Sequence, residues 1–189
     1  MKKVTGLLLF LCLLLTMSVV AAAPAQDSVK QVVIVPYINS TEEEKDYIGQ
    51  TINEKFKEQF SNAKYQTIAE SVVQPILAAN SFDVTNKELP EADLMMKLAK
   101  ETDADYVIAM EVLHFINSRH ASYFSTSAKS EVKLRYKIYS KATNKVTALQ
   151  ATGKGNNKVT SIGVPGIGTA MKRGIIQAMD EAFLKIEKL

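Results

Sequence analysis

EVKLRYKIYSKATNKVTALQATGKG, residues 131–155, carries a two-residue alternation through its first half. Val132, Leu134, Tyr136 and Ile138 fall on one side; Lys133, Arg135, Lys137 and Tyr139 fall on the other. That is the period of a strand with one face buried. The four residues 141–144 have the length of a hairpin turn, and the chain returns over Lys145 to Gly155. With Ser140 opposite Lys145, Leu149 and Ala151 join the apolar face, and Ala148, Gln150 and Thr152 join the basic one. A slip of one residue would turn these sets against each other, so the pattern predicts both the pairing and its register.

Upstream, Tyr106 to Ile116 is apolar on both alternating faces apart from Glu111 and His114, as a central strand would be. Val29 to Val35 is a β-branched run stopped by Pro36, a buried first strand. Between them, Ser40 to Glu44 has the spacing of a capping box, and Ile48, Ile52, Phe56 and Phe60 lay a helical stripe. Tyr65 to Ala69 is a short strand, and Ser71 to Asn80 a short helix interrupted by Pro75. Pro90 opens another helix with Leu94, Met95, Leu98 and Ala99 on its apolar face, closed by Asp103 to Asp105. Asn117 to Ala128 is a polar connection, and Met171, Ile175, Ala178, Ala182, Ile186 and Leu189 line a long terminal helix. The order β-α-β-α-α-β-β-β-α predicts an α/β (α+β) two-layer sandwich: a five-stranded mixed sheet with its helices on one face.

The amino-terminal end addresses the compartment. Lys2 and Lys3 precede an apolar run from Leu7 to Val20, and Ala21 to Ala25 supplies small residues around Pro24. This is the layout of a cleavable signal peptide over residues 1–25, its apolar run being shorter than the roughly 20 residues of a membrane span. The single cysteine, Cys12, lies inside it after Leu11, which is not the small residue a lipid-attachment signal needs. Residues 26–189 then form one cysteine-free domain, without disulfides or thiolate chemistry, long enough to bury roughly two-thirds of its unfolded surface. Within it the charge is divided. Residues 26–116 carry 8 Lys/Arg against 16 Asp/Glu, and residues 117–189 carry 13 against 4. Export argues against nucleic acid, leaving an anionic envelope component or acidic protein as partner of the basic half, or attraction between the halves within one fold.

The stretch SIGVPGIGTAMKRG, residues 161–174, invites a phosphate-loop reading. Gly163 and Gly168 have the right interval, but Thr169-Ala170 occupies the lysine-hydroxyl place and Lys172 comes too late. The dinucleotide fingerprint fails at Met171. Three readings remain: a pliant connection, an anion held by free amides with Lys172 and Arg173, or a partner contact through Ile162, Val164 and Ile167. The two histidines, His114 and His120, show no metal-ligand spacing. Ser122 or Ser125 beside a histidine lacks any nucleophile-elbow signature. Glu42 to Glu44 with Asp46 reads as a solvated helix start, and Asp103 with Asp105 as a turn cap. Glu111, an acid in a central strand, calls for a partner or a function. No catalytic residue, cofactor or metal is expected.

Val32-Val-Ile-Val-Pro-Tyr-Ile-Asn39, a helix, and then Thr102-Asp-Ala-Asp-Tyr-Val-Ile108 resemble a group of envelope proteins. The group comprises the curli-secretion channel subunit (CsgG-like), the amino-terminal domain of TolB, and outer-membrane activators of penicillin-binding proteins. Tyr37 stands where the group has Phe, and Asp103 where it has Gly. The resemblance spans the mature chain and implies a small α/β sandwich that binds other proteins without catalysis. The channel subunits also have membrane-inserting hairpins and a lipid anchor; here the connections at 117–128 and 156–166 are too short to cross a bilayer, which implies an adaptor or assembly factor.

The expected function is therefore that of an exported, non-catalytic envelope protein, periplasmic in a host with an outer membrane and otherwise extracellular. It would dock an envelope protein or anionic envelope component through Lys133, Arg135, Lys137 and Tyr139, flanked by Ile162, Val164 and Ile167. The alternatives are a small-ligand, anionic-lipid or wall-polymer binder and, more remotely, a hydrolase. No membrane-spanning helix is expected after signal cleavage, and a homo-oligomer stays open.

Overall fold

The computed structural model describes residues 28–122, 125–159 and 164–189. The expected signal segment with Cys12, and Ile162, lie outside the described residues. The strands are β1 (Lys30–Ile34), β2 (Ile38–Asn39), β3 (Tyr65–Thr67), β4 (Tyr106–Ser122), β5 (Ser125–Ser140) and β6 (Lys145–Val159). The helices are α1 (Asp46–Phe60), α2 (Glu70–Ala79), α3 (Ala92–Thr102) and α4 (Ile167–Ile186), with a 3-10 turn at Val84–Asn86. The sheet order is β3-β1-β4-β5-β6, with the two-residue β2 pairing to β4. β1 runs parallel to β3 and β4, while β4, β5 and β6 form an antiparallel meander. This is the expected mixed sheet and element order, with β2 and the 3-10 turn added. Parallel neighbours need crossovers, supplied by α1 and by α2–α3; antiparallel ones need only turns.

Two cores sit on opposite faces of the sheet. On the main face α1 and α4 cover Ile108, Met110 and Val112 of β4 and Val132, Leu134, Tyr136 and Ile138 of β5. On the other face α2 and α3 cover Val33, Val35, Val107, Ala109 and Tyr139. The two-layer sandwich is thus realised where α1 and α4 lie over the meander. The expectation of helices on one face alone is corrected at the β1 end, because β1 is apolar on both sides and needs a cover on each. Lys55 joins the helices of the main face, its ammonium 2.8 Å from both Glu58 and Asp180. Burial works against that charge, but the hydrogen bonds to Asp180 and Glu58 outweigh it and raise the Lys55 pKa.

The contact of α4 with β6 is made through backbone. A Cβ on Gly155 would stand 1.7 Å from the Ala170 carbonyl oxygen, and one on Gly153 2.0 Å from that of Gly174. Both glycines are on the inner face of β6, opposite Ser130 and Val132. Ala170, Gly174 and Ala178 recur every four residues on the facing side of the helix and are buried. Each fully buried aliphatic side chain of this layer contributes about 2 kcal/mol, far above the tenths expected of an exposed helix pair such as Lys185–Glu181.

The same helix also closes the sheet edge. Lys185 donates to the Gln150 carbonyl at 3.0 Å, and the Lys154 amide donates to Gln177 Oε1 at 2.6 Å. Arg173 donates to the Asn156 carbonyl, and the Thr152 backbone stands near enough to Glu181 to help lower its carboxyl pKa. Side chains four apart on α4 therefore meet backbone groups two apart on β6, a cover for an otherwise open edge.

Two local expectations change. Helix α1 begins at Asp46, capped by Lys45 without a side-chain hydrogen bond. Ser40 instead donates to Glu111 Oε1 at 2.7 Å, and Thr41 Oγ1 accepts from the Glu43 amide at 3.2 Å. The expected polar connection at 117–128 is mostly strand: β4 and β5 remain paired out to Ser122 and Ser125. Among the described residues no helix is long and apolar enough to cross a membrane.

Candidate functional site: the open face of the meander

The register places Ser140 opposite Lys145 and keeps Lys137, Arg135 and Lys133 opposite Ala148, Gln150 and Thr152, as the alternation requires. In β4, Glu111 lies opposite Arg135, Val112 opposite Leu134, and His114 opposite Lys133. Leu113 is the extra residue of a β-bulge there. Beyond it, the even residues of β4 take over the outer face, so His114, Ile116 and Ser118 accompany Lys133, Glu131 and Lys129.

The four residues of the predicted row meet different fates. Tyr139 is 6% exposed, packed in the second core, and its hydroxyl lies 2.9 Å from Asn144 Oδ1. It is not part of an exposed face, which corrects the expectation: α3 and the turn after β5 cover this end. Lys137 donates to the Pro90 carbonyl at 3.1 Å and reaches Glu91 at 3.4 Å, tying the strand to the start of α3. Arg135 donates from Nε at 2.8 Å and Nη2 at 2.5 Å to Glu111 Oε2. With Ser40 on the other oxygen, the Glu111 carboxylate is satisfied although its side chain is only 4% exposed. Glu111 is therefore a paired structural acid. Lys133 alone of the row has neither ion pair nor covering element among the described residues.

Lys133 is joined by lysines that the sequence reading passed over. Lys129 and Lys133 on β5, with Lys154 and Lys158 on β6, share the outer face, and the carboxylate among them is Glu131, 3.6 Å from Lys154. Two-residue stepping past Glu131 and Thr152 leads to each of them; reading 117–128 and 156–166 as loops ended the row too soon. Helices α2 and α3 cover the other end of the face, leaving Lys129, Lys154 and Lys158 exposed as a positive surface.

The second group separates from it. Val164 is exposed, while Ile167 is half-buried against the main core at the first turn of α4. Gly166 caps that helix in an extended conformation, and no described glycine has positive φ, so Gly166 and Gly168 supply no left-handed turn. Arg173 is engaged with β6, and Lys172 lies over the Tyr47 ring, 5.5 Å from its centroid. Neither is free to line an anion site at the helix start. His120 faces Ser127 at the far end of the hairpin, and among the described residues no histidine pairs with a carboxylate. Among those residues, likewise, no three His, Cys, Asp or Glu side chains gather as metal ligands.

No protein-family model and no curated protein matches the chain. Among solved structures it is similar to the hypothetical protein CT253 from Chlamydia trachomatis, at 16% identity and TM-score 0.50, over 85% of this chain and 95% of that one. It is also similar to the lipoprotein GNA1162 from Neisseria meningitidis (14% identity, TM-score 0.44, 84% and 98% covered). A third is the LpoB C-terminal domain from Salmonella enterica (9% identity, TM-score 0.41, 69% and 86% covered). At these identities the first likeness shows a shared fold and nothing finer.

Proposed function

We propose that this chain is an exported, non-catalytic cell-envelope protein, one domain over residues 26–189 behind a cleaved signal, that docks an acidic envelope component through the open end of its meander. The observation that carries this is the grouping of Lys129, Lys133, Lys154 and Lys158 around Glu131, the one carboxylate among them within the described residues, on the outer sheet face. Such a surface steers and orients an anionic partner. The motif resemblance to curli-secretion, TolB and penicillin-binding-protein activator domains supports a protein as that partner, with exposed Val164 as a separate second contact.

The test is crosslinking in the native envelope, read by mass spectrometry, for the wild type and a Lys129→Glu, Lys133→Glu, Lys158→Glu triple variant. The variant should lose its principal crosslink while its thermal midpoint stays within a few degrees, as solvated surface changes allow. An unchanged crosslink pattern would reject this face, and crosslinks between copies would identify the partner as the chain itself. Arg135 is left intact because a glutamate there would stand against buried Glu111.

A further inference from the structure

β1 and β3 are adjacent and parallel, yet the chain leaves them toward opposite faces. After β1 it reaches α1 on the main core; after β3 it enters α2 on the second core. Diverging connections of this kind leave a crevice beyond the carboxyl ends of the strands, where open α/β sheets hold ligands. A cavity of about 510 Å³ lies at that point, bordered by the segment after β1, the end of β3, one side of α1 and the start of α2. Its size is that of a small-molecule site.

The lining divides by chemistry. Ile34, Phe56, Ile68 and Val84 offer apolar surface, and Tyr37 forms a wall. Gly49 makes that wall possible, since a Cβ there would stand 2.9 Å from the Tyr37 hydroxyl. The rim holds one cation, Lys57 in the last turn of α1, and one anion, Glu70 at the start of α2. Among the described residues neither makes an ion pair; Glu70 accepts only from Gln74, at 3.0 Å. The hydroxyls of Ser61 and Thr67, 3.2 Å apart, are also in the lining.

From this arrangement we infer that the crevice binds a small zwitterion with an apolar side chain, an apolar amino acid or short dipeptide. Its carboxylate meets Lys57 and the two hydroxyls, its ammonium meets Glu70, and its side chain lies on Phe56 and Ile34. A fatty acid would satisfy Lys57 but leave Glu70 facing an apolar tail; a phosphate ester would set its charge against Glu70. The crevice shares no residue with the lysine face, so this site and the proposed docking function can fail separately.

The test is NMR titration of the ¹⁵N-labelled exported chain with L-phenylalanine, L-leucine and alanyl-phenylalanine, beside N-acetyl-phenylalanine, phenylalanine amide and octanoate. Saturable shifts confined to 34–37, 53–61 and 67–70 are expected from the zwitterions. Acetylation or amidation should weaken binding about tenfold, the loss of a charge-assisted contact. Lys57→Gln should erase the difference between acid and amide, and Glu70→Gln that between free and acetylated amine. Asn53→Trp, an exposed change at the mouth, should remove binding without unfolding the chain. Octanoate binding as tightly as phenylalanine would overturn the zwitterion assignment, and no saturable shift at about 10 mM would overturn the site.

Discussion

The two faces of the β5–β6 hairpin use the same strands for opposite ends. Inward, Val132, Leu134, Tyr136 and Ile138 are essentially without solvent, and the backbone of α4 presses on Gly153 and Gly155. Outward, Tyr139 is buried, the Lys137 side chain is 27% and the Arg135 side chain 44% exposed, Lys133 is half-buried without an ion pair among the described residues, and Lys129 is exposed. The inner face is close-packed, its aliphatic side chains buried against α4 and α1. The Ser130 and Ser140 hydroxyls buried beside them have no hydrogen-bond partner among the described residues. The outer face has neutralised its one costly group, Glu111, and left its far lysines available. Stability is concentrated on one side and the capacity to bind on the other.

If that division is right, the largest loss comes from one methyl group on the inner face. Gly155→Ala places a carbon against the Ala170 carbonyl, backbone that cannot turn aside. The expected cost is on the order of 4 kcal/mol, read as a lower denaturation midpoint at unchanged slope. A cost below about 1 kcal/mol would mean that α4 stands off the strand and the inner face is not closed by backbone contact. The next effect belongs to the outer face. Arg135→Ala strands the Glu111 carboxylate and should cost about 3 kcal/mol, discounted little because Glu111 itself is buried. Adding Glu111→Leu should recover most of this, since an apolar replacement removes the stranded charge. A double variant no more stable than Arg135→Ala would show that the pair, rather than the stranded charge, carries the stability.

The division also explains what the sequence reveals. Period-two alternation and a four-residue turn determine the register around Ser140 and Lys145 because an error would expose the core. The same alternation says nothing about what covers the other face; that depends on Pro90 and Glu91, far away in the chain. At the end of the hairpin, residues 117–121 are mostly polar and exposed on both alternating sides, so a paired strand there looks like a loop. Ser40 shows a related limit: its spacing fits a cap, but a buried carboxylate 71 residues away takes its hydroxyl. The close approach of α4 was written in two places, Gly153 and Gly155 in one and Ala170, Gly174 and Ala178 in the other. Neither has meaning without the partner. The glycines that drew attention, at 163–168, belong to a different segment, and Gly166 and Gly168 adopt no special backbone.

The smallest effect concerns the boundary between the faces, the edge of β6. Replacing Glu181 and Gln177 by alanine should cost about 1 kcal/mol or less each, because both side chains are partly solvated. It should also free the Lys154 amide and uncover the Thr152 backbone, giving an open edge that pairs with another copy as concentration rises. Sedimentation would detect that association. Acid offers a route without mutation. The hydrogen bond from Lys185 holds the Glu181 carboxyl below its usual range, and the Thr152 backbone pulls in the same direction. A depressed folded pKa means that the contact is fully present above the ordinary carboxylate range and lost as pH falls through the lowered value. The Thr152 amide resonance should therefore show a pH step below the usual glutamate range, absent in Glu181→Gln. If instead the step persists in that variant, another group titrates at the edge, and α4 does not close β6 through Glu181.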